Sequence, residues 1–257
     1  MTKRNGLVVI LFLCGNCLKA QVEKIDTDRP DQTESAVTVP KNYFQAEFGF
    51  NKENLPGRNY DLLHPTTLLK YGLHKFEFRL EATLRSSYEY LFPNPKWTKG
   101  LEPVVIGFKT ALWEENKLLP KTSLIVHLGL PFLASKTFRT DHLIPSFRFT
   151  MQNSITANVA IGYNLGAEWD GYSSTPAWVY TFAPGFNVGK KWYTYIEAFG
   201  FIHKKEKPQH NLDAGIAYYI SNNVKIDLSA GIGISEAAPE NYVAVGFSFR
   251  FKTRSGK

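Results

Sequence analysis

Hydrophobic and polar residues alternate with a period of two in one segment of the chain after another. In the clearest of these segments, residues 76–85, Phe76 and Phe78 alternate with Glu77 and Arg79. Successive side chains of a β-strand point to opposite faces, so each segment has one apolar and one polar face. Such segments, repeated along the chain, are typical of a transmembrane β-barrel with lipid outside and a polar interior.

The alternation predicts an all-β fold, a transmembrane antiparallel up-and-down β-barrel of about twelve strands. The barrel is expected to span residues 41–251. Its strands are predicted near residues 41–51, 60–73, 76–90, 101–113, 121–133, 141–151, 155–168, 175–188, 192–202, 209–220, 224–235 and 241–251.

The predicted connections alternate in length. The short ones are residues 74–75, 152–154, 189–191 and 221–223. The longer ones are residues 51–59, 91–100, 134–140, 169–174, 203–208 and 236–240, with 114–120 a longer loop on the short side. Short turns face the periplasm in bacterial barrels, so both termini are expected there.

Aromatic residues gather near the predicted strand ends. Those near short turns are Trp113, Trp192, Tyr193, Tyr218 and Tyr219, and those near a long loop are Trp169, Tyr172 and Trp178. This placement predicts aromatic girdles at the two membrane interfaces. The alternative is that these residues are ordinary aromatic residues of a hydrophobic core.

Residues 1–20 have the pattern of a secretory signal peptide, with a basic start, a short apolar run and Ala20 before a polar stretch. Both cysteines, Cys14 and Cys17, lie in this segment, so the mature chain is predicted to contain no disulfide. A lipidated cysteine is the alternative, although neither cysteine is preceded by the usual pattern of small residues.

The net charge of +7 changes the picture little, because part of it lies in the predicted signal peptide and much of the rest in loops such as 96–99 and 204–207. No DNA- or RNA-reading motif is recognisable, so nucleic acid is not an expected partner. Loops that face water or lipid phosphates explain the charge better, and outer-membrane lipid and lipopolysaccharide are expected partners. A composition of 44% hydrophobic and 14% aromatic residues favours strands over helices.

Charged residues of both signs are predicted to face the interior of the barrel. They are Glu47, Glu77, Arg79, Glu81, Arg85, Lys109, Arg148, Glu168, Glu197, Asp213, Lys225 and Asp227. Two interpretations stay open, a lining that selects solutes or salt-bridged packing that closes a small barrel.

Residues 21–40 are too polar and too interrupted by proline for a membrane strand. They are expected to form a periplasmic arm or a plug in the lumen. In the plug, Arg29 and the neighbouring carboxylates would pair with inward charges such as Glu77, Arg79, Glu81 and Arg85, because buried charges need partners.

Residues 25–47 resemble the N-terminal signature of outer-membrane transporters in the family named for the MetA pathway of phenol degradation, particularly its Bacteroidetes members. The matching positions are Thr27, Asp28, Arg29, Pro30, Asp31, Thr33, Glu34, Ser35, Val39, Pro40, Gln45 and Glu47. Asn42 stands where glycine is expected. The resemblance implies a barrel and passage of small hydrophobic or aromatic solutes.

Patterns for catalysis or metal binding are weak. Ser146 and His142 share one strand parity and are expected to face inward, without a phospholipase motif around them. The six histidines lack metal-ligand spacing, so no metal and no cofactor is expected.

The favoured function is an outer-membrane channel for small solutes. The alternative is a closed structural barrel that acts through its extracellular loops, and an outer-membrane hydrolase is the least favoured. The last strand ends in Phe251, which resembles the signal read by the barrel-insertion machinery, although the tail 252–257 follows it.

Overall fold

The computed structural model describes residues 23–253, which form a closed antiparallel β-barrel. Its strands are β1 (Tyr43–Leu55), β2 (Asn59–Gly72), β3 (Phe76–Glu89), β4 (Lys96–Leu101), β5 (Val104–Trp113), β6 (Lys121–Leu130), β7 (Ile144–Thr156), β8 (Val159–Glu168), β9 (Ala177–Val188), β10 (Trp192–His203), β11 (Gln209–Ser221), β12 (Val224–Gly233) and β13 (Asn241–Lys252). Strands that are neighbours in the chain pair with each other, except that β5 pairs with β3 instead of β4, and β1 pairs with β13 to close the sheet. Three short 3-10 helices, Pro56–Arg58, Pro131–Leu133 and Lys136–Phe138, lie in connections. Among the described residues no helix is long and apolar enough to cross a bilayer.

Strands β4 and β5 together fill one position in the barrel wall. Both pair with β3, and the break between them falls at Glu102 and Pro103. Proline lacks the N–H that a strand interior donates, which explains an interruption at that point. The barrel therefore has twelve wall positions, and the predicted fold class is confirmed.

Burial is inverted relative to a soluble protein. Phe78 on β3 is 58% exposed and Ile196 on β10 is also 58% exposed, whereas Glu77 and Lys109 are completely buried. A water-soluble protein hides its large apolar side chains and exposes its charges. The outer surface of this barrel is therefore suited to lipid, and its polar groups face the lumen.

Several predicted boundaries are wrong. Residues 96–100 were expected in a loop but belong to β4, and β1 continues to Leu55. The expected long loop 51–59 is therefore only the turn Pro56–Arg58. The strand predicted to end at residue 133 ends at Leu130, because Pro131 starts a 3-10 helix.

The predicted turn 152–154 is also wrong, because these residues belong to β7 and the turn lies at 157–158. The remaining connections follow the predicted alternation in length, with 114–120 the expected longer exception at the end with the short turns. The turns 73–75, 157–158, 189–191 and 222–223 are short, and the loops 90–95, 131–143, 169–176, 204–208 and 234–240 at the opposite end are longer. The predicted signal peptide (1–20) and most of the tail (252–257) lie outside the described residues.

Candidate functional site: an inner segment held by the barrel wall

Residues 23–42, named here the inner segment, fold into the lumen. Near the start of the segment, the N–H of Ile25 donates to the carbonyl of Asn222, in the turn between β11 and β12 (2.7 Å). Near its end, Val39 and Pro40 lie against Gly72, at the end of β2. Both anchors are at the end of the barrel that carries the short turns. The segment therefore enters and leaves at one end, with Gln32 near its turning point.

Wall side chains take the place of strand partners for the backbone N–H groups of the inner segment. The N–H groups of Asp28, Gln32 and Val39 donate to Glu47 (3.0 Å), Glu197 (2.8 Å) and Glu77 (2.7 Å) respectively. Buried peptide groups without a partner are costly, so an irregular segment inside a barrel needs such acceptors. Three of the predicted inward carboxylates thus bind the backbone of the inner segment.

The carbonyl groups of the inner segment are bound in the same way by donors from other strands. The wall-to-carbonyl pairs are Gln45 Nε2 to Asp26 (2.6 Å), Lys225 Nζ to Arg29 (2.6 Å), Arg148 Nη1 to Gln32 (3.1 Å), Asn164 Nδ2 to Glu34 (3.0 Å), Lys109 Nζ to Ser35 (3.0 Å) and Ser123 Oγ to Ala36 (2.7 Å). These donors come from six different strands, so they tie the segment to half of the twelve wall positions.

Asp28 is the centre of the ionic contacts. Its two carboxylate oxygens accept from Lys70 (2.8 Å), Arg79 (2.8 Å) and Lys109 (3.0 Å), and one also accepts from the N–H of Ser35 (2.9 Å). Burial alone would raise the pKa of the Asp28 carboxyl, but Lys109, Lys70 and Arg79 hold that pKa well below its usual range. The bond to Ser35 also links the part of the inner segment before its turning point at Gln32 to the part after it.

Two wall glycines make room for Arg29. Its Nη2 donates to Asp227 Oδ1 (3.1 Å), and the guanidinium lies over Gly49 on β1 and Gly246 on β13. A Cβ atom on either glycine would overlap the guanidinium. The side chain of Arg29 can therefore lie flat against the wall only because these positions lack side chains.

The two sides of the lumen differ in how their charged groups are paired. Arg79 Nη2 on β3 binds Glu34 at 2.8 Å, so this side is rich in ion pairs between wall and segment. By contrast, Asp31, Glu197 and Asp213 take part in no ion pair within residues 23–253. Burial raises the pKa of Asp31 to about 8, although Lys225 lowers it.

The backbone conformation at residue 42 explains why asparagine stands where the family signature predicts glycine. Its φ angle is 63°, in the left-handed region where glycine is most at ease. Asparagine is among the few other residues that adopt this conformation readily. The chain bends here from the inner segment into β1, so the expected glycine and the observed asparagine meet the same backbone requirement.

All twelve predicted charged residues face the interior, but the structure does not bring all of them to the inner segment. Arg85 instead pairs with Asp61 and with Glu102 (3.1 Å) nearer the end with the long loops, so its predicted contact with the segment is wrong. Glu168 pairs with Arg148. Whether these residues select solutes stays a prediction.

Sequence reasoning missed several interior residues. Lys70 on β2 binds both Asp28 and Glu47. A bulge between Leu63 and Thr66 breaks the alternation of β2, which hides its inward parity. The register with β3, which pairs Lys70 with Arg79, is the signal that would have found it.

The prediction put three polar residues on the wrong side of the barrel wall. Tyr193 and Tyr219 were expected in an interface girdle, but both line an interior cavity beside Lys225. His142 was expected to face inward with Ser146, but it is exposed in the loop 131–143, while Ser146 lines the central cavity. Within residues 23–253 no group of His, Cys, Asp or Glu is arranged to hold a metal ion.

Three cavities follow one another through the lumen. The outermost, of about 430 Å³, and the central one, of about 370 Å³, are both lined by Gln32. The central cavity and the third, of about 180 Å³ near the short turns, share Arg29, Asp31 and Glu34. Residues 29–34 of the inner segment therefore lie at both junctions between cavities.

Fold and site together define an outer-membrane type of β-barrel whose N-terminal segment folds back into its own lumen. The chain belongs to the family described as MetA-pathway of phenol degradation, whose family model matches residues 27–251. No curated protein matches the sequence.

Solved structures of similar fold are outer-membrane channels and porins. An outer membrane channel from Pseudomonas putida F1 aligns with a TM-score of 0.65 and 10% identity over 89% of this chain and all of its own. The KdgM porin, solved with disordered oligogalacturonate, aligns with a TM-score of 0.53 and 10% identity over 80% of this chain and 99% of its own. The NanC porin gives the same TM-score and identity over 80% and 98%. At these identities the likeness concerns the fold.

Proposed function

We propose that this protein is an outer-membrane channel for small hydrophobic or aromatic solutes, and that the inner segment blocks it until the segment moves. The observation that carries the proposal is the series of three cavities with residues 29–34 at both junctions. A barrel built only for rigidity would not need a chain of interior spaces. If the inner segment moved out of the lumen, the three cavities would join into a continuous path.

The outermost cavity supports the choice of solute. Phe199 and Phe201 on β10 point into it together with Tyr242 on β13, and Phe199 is only 6% exposed. Across the cavity stand Arg85 and Asp61. Aromatic rings beside a charged pair suit a small aromatic molecule that carries a polar or anionic group.

Binding of benzoate tests this choice without requiring an open channel. Removing both rings in Phe199→Ala/Phe201→Ala is expected to weaken benzoate binding by roughly 5- to 150-fold, since each of the two aromatic contacts is worth about 0.5–1.5 kcal/mol. Calorimetric titration of the refolded protein in detergent measures the change. The matched control is Phe182→Ala, a phenylalanine on β9 that is 50% exposed on the outer face. Equal affinities in the double variant and the control would rule out aromatic selection in this cavity.

The location follows from the same proposal. The chain would be exported and inserted in the outer membrane by the barrel-insertion machinery, with the long loops outside. We further propose, from the signature in residues 25–47, that it is related to the Bacteroidetes members of its family. We assign it no enzymatic role.

A closed structural barrel is the second candidate. The number of wall side chains that bind the inner segment favours it, because a permanently filled lumen would have such contacts. Conductance separates the two candidates, because only a channel conducts once the inner segment is released.

A further inference from the structure

The outer face of the barrel carries a cluster of aromatic rings at the end with the long loops. Tyr60 on β2 stacks on Tyr88 on β3, with ring centroids 4.9 Å apart. Trp97 on β4 meets Tyr60 and Tyr88 edge-on, at 5.6 and 5.2 Å. Tyr88 has the parity of the exposed Phe78, and strand register places Tyr60 and Trp97 beside it. The three rings therefore face lipid.

Cationic groups lie over these rings. The Nζ of Lys52 on β1 is 5.1 Å from the centre of the Tyr60 ring, and the Nζ of Lys99 on β4 is 5.0 Å from a Trp97 ring. These five residues are named the rim patch. Cation–π contacts hold flexible lysine side chains in place at the edge of the barrel.

The lysines of the rim patch are not neutralised. Neither Lys52 nor Lys99 takes part in an ion pair with any residue that the structure describes. In the lumen, by contrast, Lys70 and Lys109 are paired with carboxylates. The rim patch thus presents fixed positive charge to the lipid surface.

Apolar side chains continue from the rim patch toward the middle of the membrane. On β3, Leu84 and Leu80 are 44% and 40% exposed on the same face as Tyr88. A ligand that fits the whole surface has anionic groups at headgroup level and hydrocarbon chains below them. Phosphorylated glycolipid of the outer leaflet has this chemistry, with its phosphates opposite the lysines.

We propose that the rim patch binds the phosphate groups of lipopolysaccharide. The inference rests on the proposed outer-membrane orientation but not on conduction. Phosphates would lie between Lys52 and Lys99, while the acyl chains would pack on the rings and on Leu84. The site is separate from the lumen and would anchor β1–β4 in the outer leaflet.

Binding of purified lipopolysaccharide to the refolded protein in detergent tests the proposal. Lys52→Gln/Lys99→Gln is expected to lower the affinity about 25-fold, because each lysine near an anionic lipid surface is worth about fivefold. The matched control is Lys191→Gln, whose Nζ lies 5.5 Å from the centre of the Tyr218 ring at the opposite rim. This control should leave the affinity unchanged.

A second ligand separates phosphate recognition from general adhesion of lipid. Dephosphorylated lipopolysaccharide should bind wild type and double variant equally and weakly. The proposal is wrong if the double variant binds intact lipopolysaccharide as wild type does, or if dephosphorylation has no effect. Conductance in bilayers free of lipopolysaccharide should be the same for both proteins, so a failed channel hypothesis shows in that measurement alone.

Discussion

Replacing Asp28 by asparagine is expected to release the inner segment and to raise the conductance of the reconstituted protein. The carboxylate of Asp28 faces Lys70, Arg79 and Lys109, whose side chains are at most 2% exposed. Lys109 forms no other ion pair among the residues that the structure describes. Removing one partner of a buried charge pair costs about 3–5 kcal/mol, because the other charge stays buried. Asparagine keeps an acceptor for Ser35, so the change removes mainly charge.

Two measurements check the effect of Asp28→Asn. Single-channel recording should show more frequent openings, and hydrogen exchange should show that amides of residues 25–40 lose protection. The matched control is Asp26→Asn, because Asp26 lies two residues away and is exposed. Unchanged protection in the Asp28 variant would mean that these ion pairs do not hold the segment.

Deleting residues 21–40 is expected to increase the single-channel conductance several-fold. The three cavities, of about 430, 370 and 180 Å³, would then join, because residues 29–34 separate them. The deleted stretch holds five acidic and two basic residues. Its loss removes more negative than positive charge and leaves Lys109 without Asp28, so the selectivity of the open lumen should shift toward anions relative to the full mature chain.

The reversal potential in a salt gradient reports the change in selectivity. A truncation of residues 21–24 alone is the control, because it leaves Asp28 and the junction residues 29–34 in place. It should conduct like the full mature chain. If the longer deletion conducts no better than this control, the segment does not limit passage.

The strands were predictable because lipid and lumen impose opposite demands on alternate residues. The resulting alternation of apolar and polar residues is visible along most of β3 and β13. It fails where the backbone is irregular, as at the bulge between Leu63 and Thr66 and at the break before Pro103. A two-residue period cannot report an inserted residue or a strand that resumes after an interruption.

The site was predictable only in part. Buried charges of both signs indicated that the interior would be paired, and Arg79 does bind Glu34 of the inner segment. The choice of partner depends on the depth at which each residue lies in the barrel, which needs strand tilt and register. Arg85 therefore looked equivalent to Arg79 in sequence, although it pairs with Asp61 instead.

Inward aromatic residues were hidden for another reason. Phe199 and Phe201 have the parity of the buried Glu197, so they belong to the lumen. Alternation on β10 is weak because both of its faces carry apolar side chains. Aromatic residues on a lumenal face cannot be recognised by hydrophobicity, and only the charged residue on the same face, Glu197, shows which way they point.

The most direct test of the blocked channel is the conductance of the mature chain (residues 21–257) carrying Thr33→Cys and Thr181→Cys. The two native hydroxyl oxygens are 2.6 Å apart, so a disulfide can form there between the inner segment and β9. The chain's own cysteines, Cys14 and Cys17, precede residue 21, so no other thiol competes. Each single variant serves as the control. We expect silence in the oxidised protein and steady openings after reduction, whereas equal openings in both states, with the cross-link verified by mass, would contradict a segment that must move.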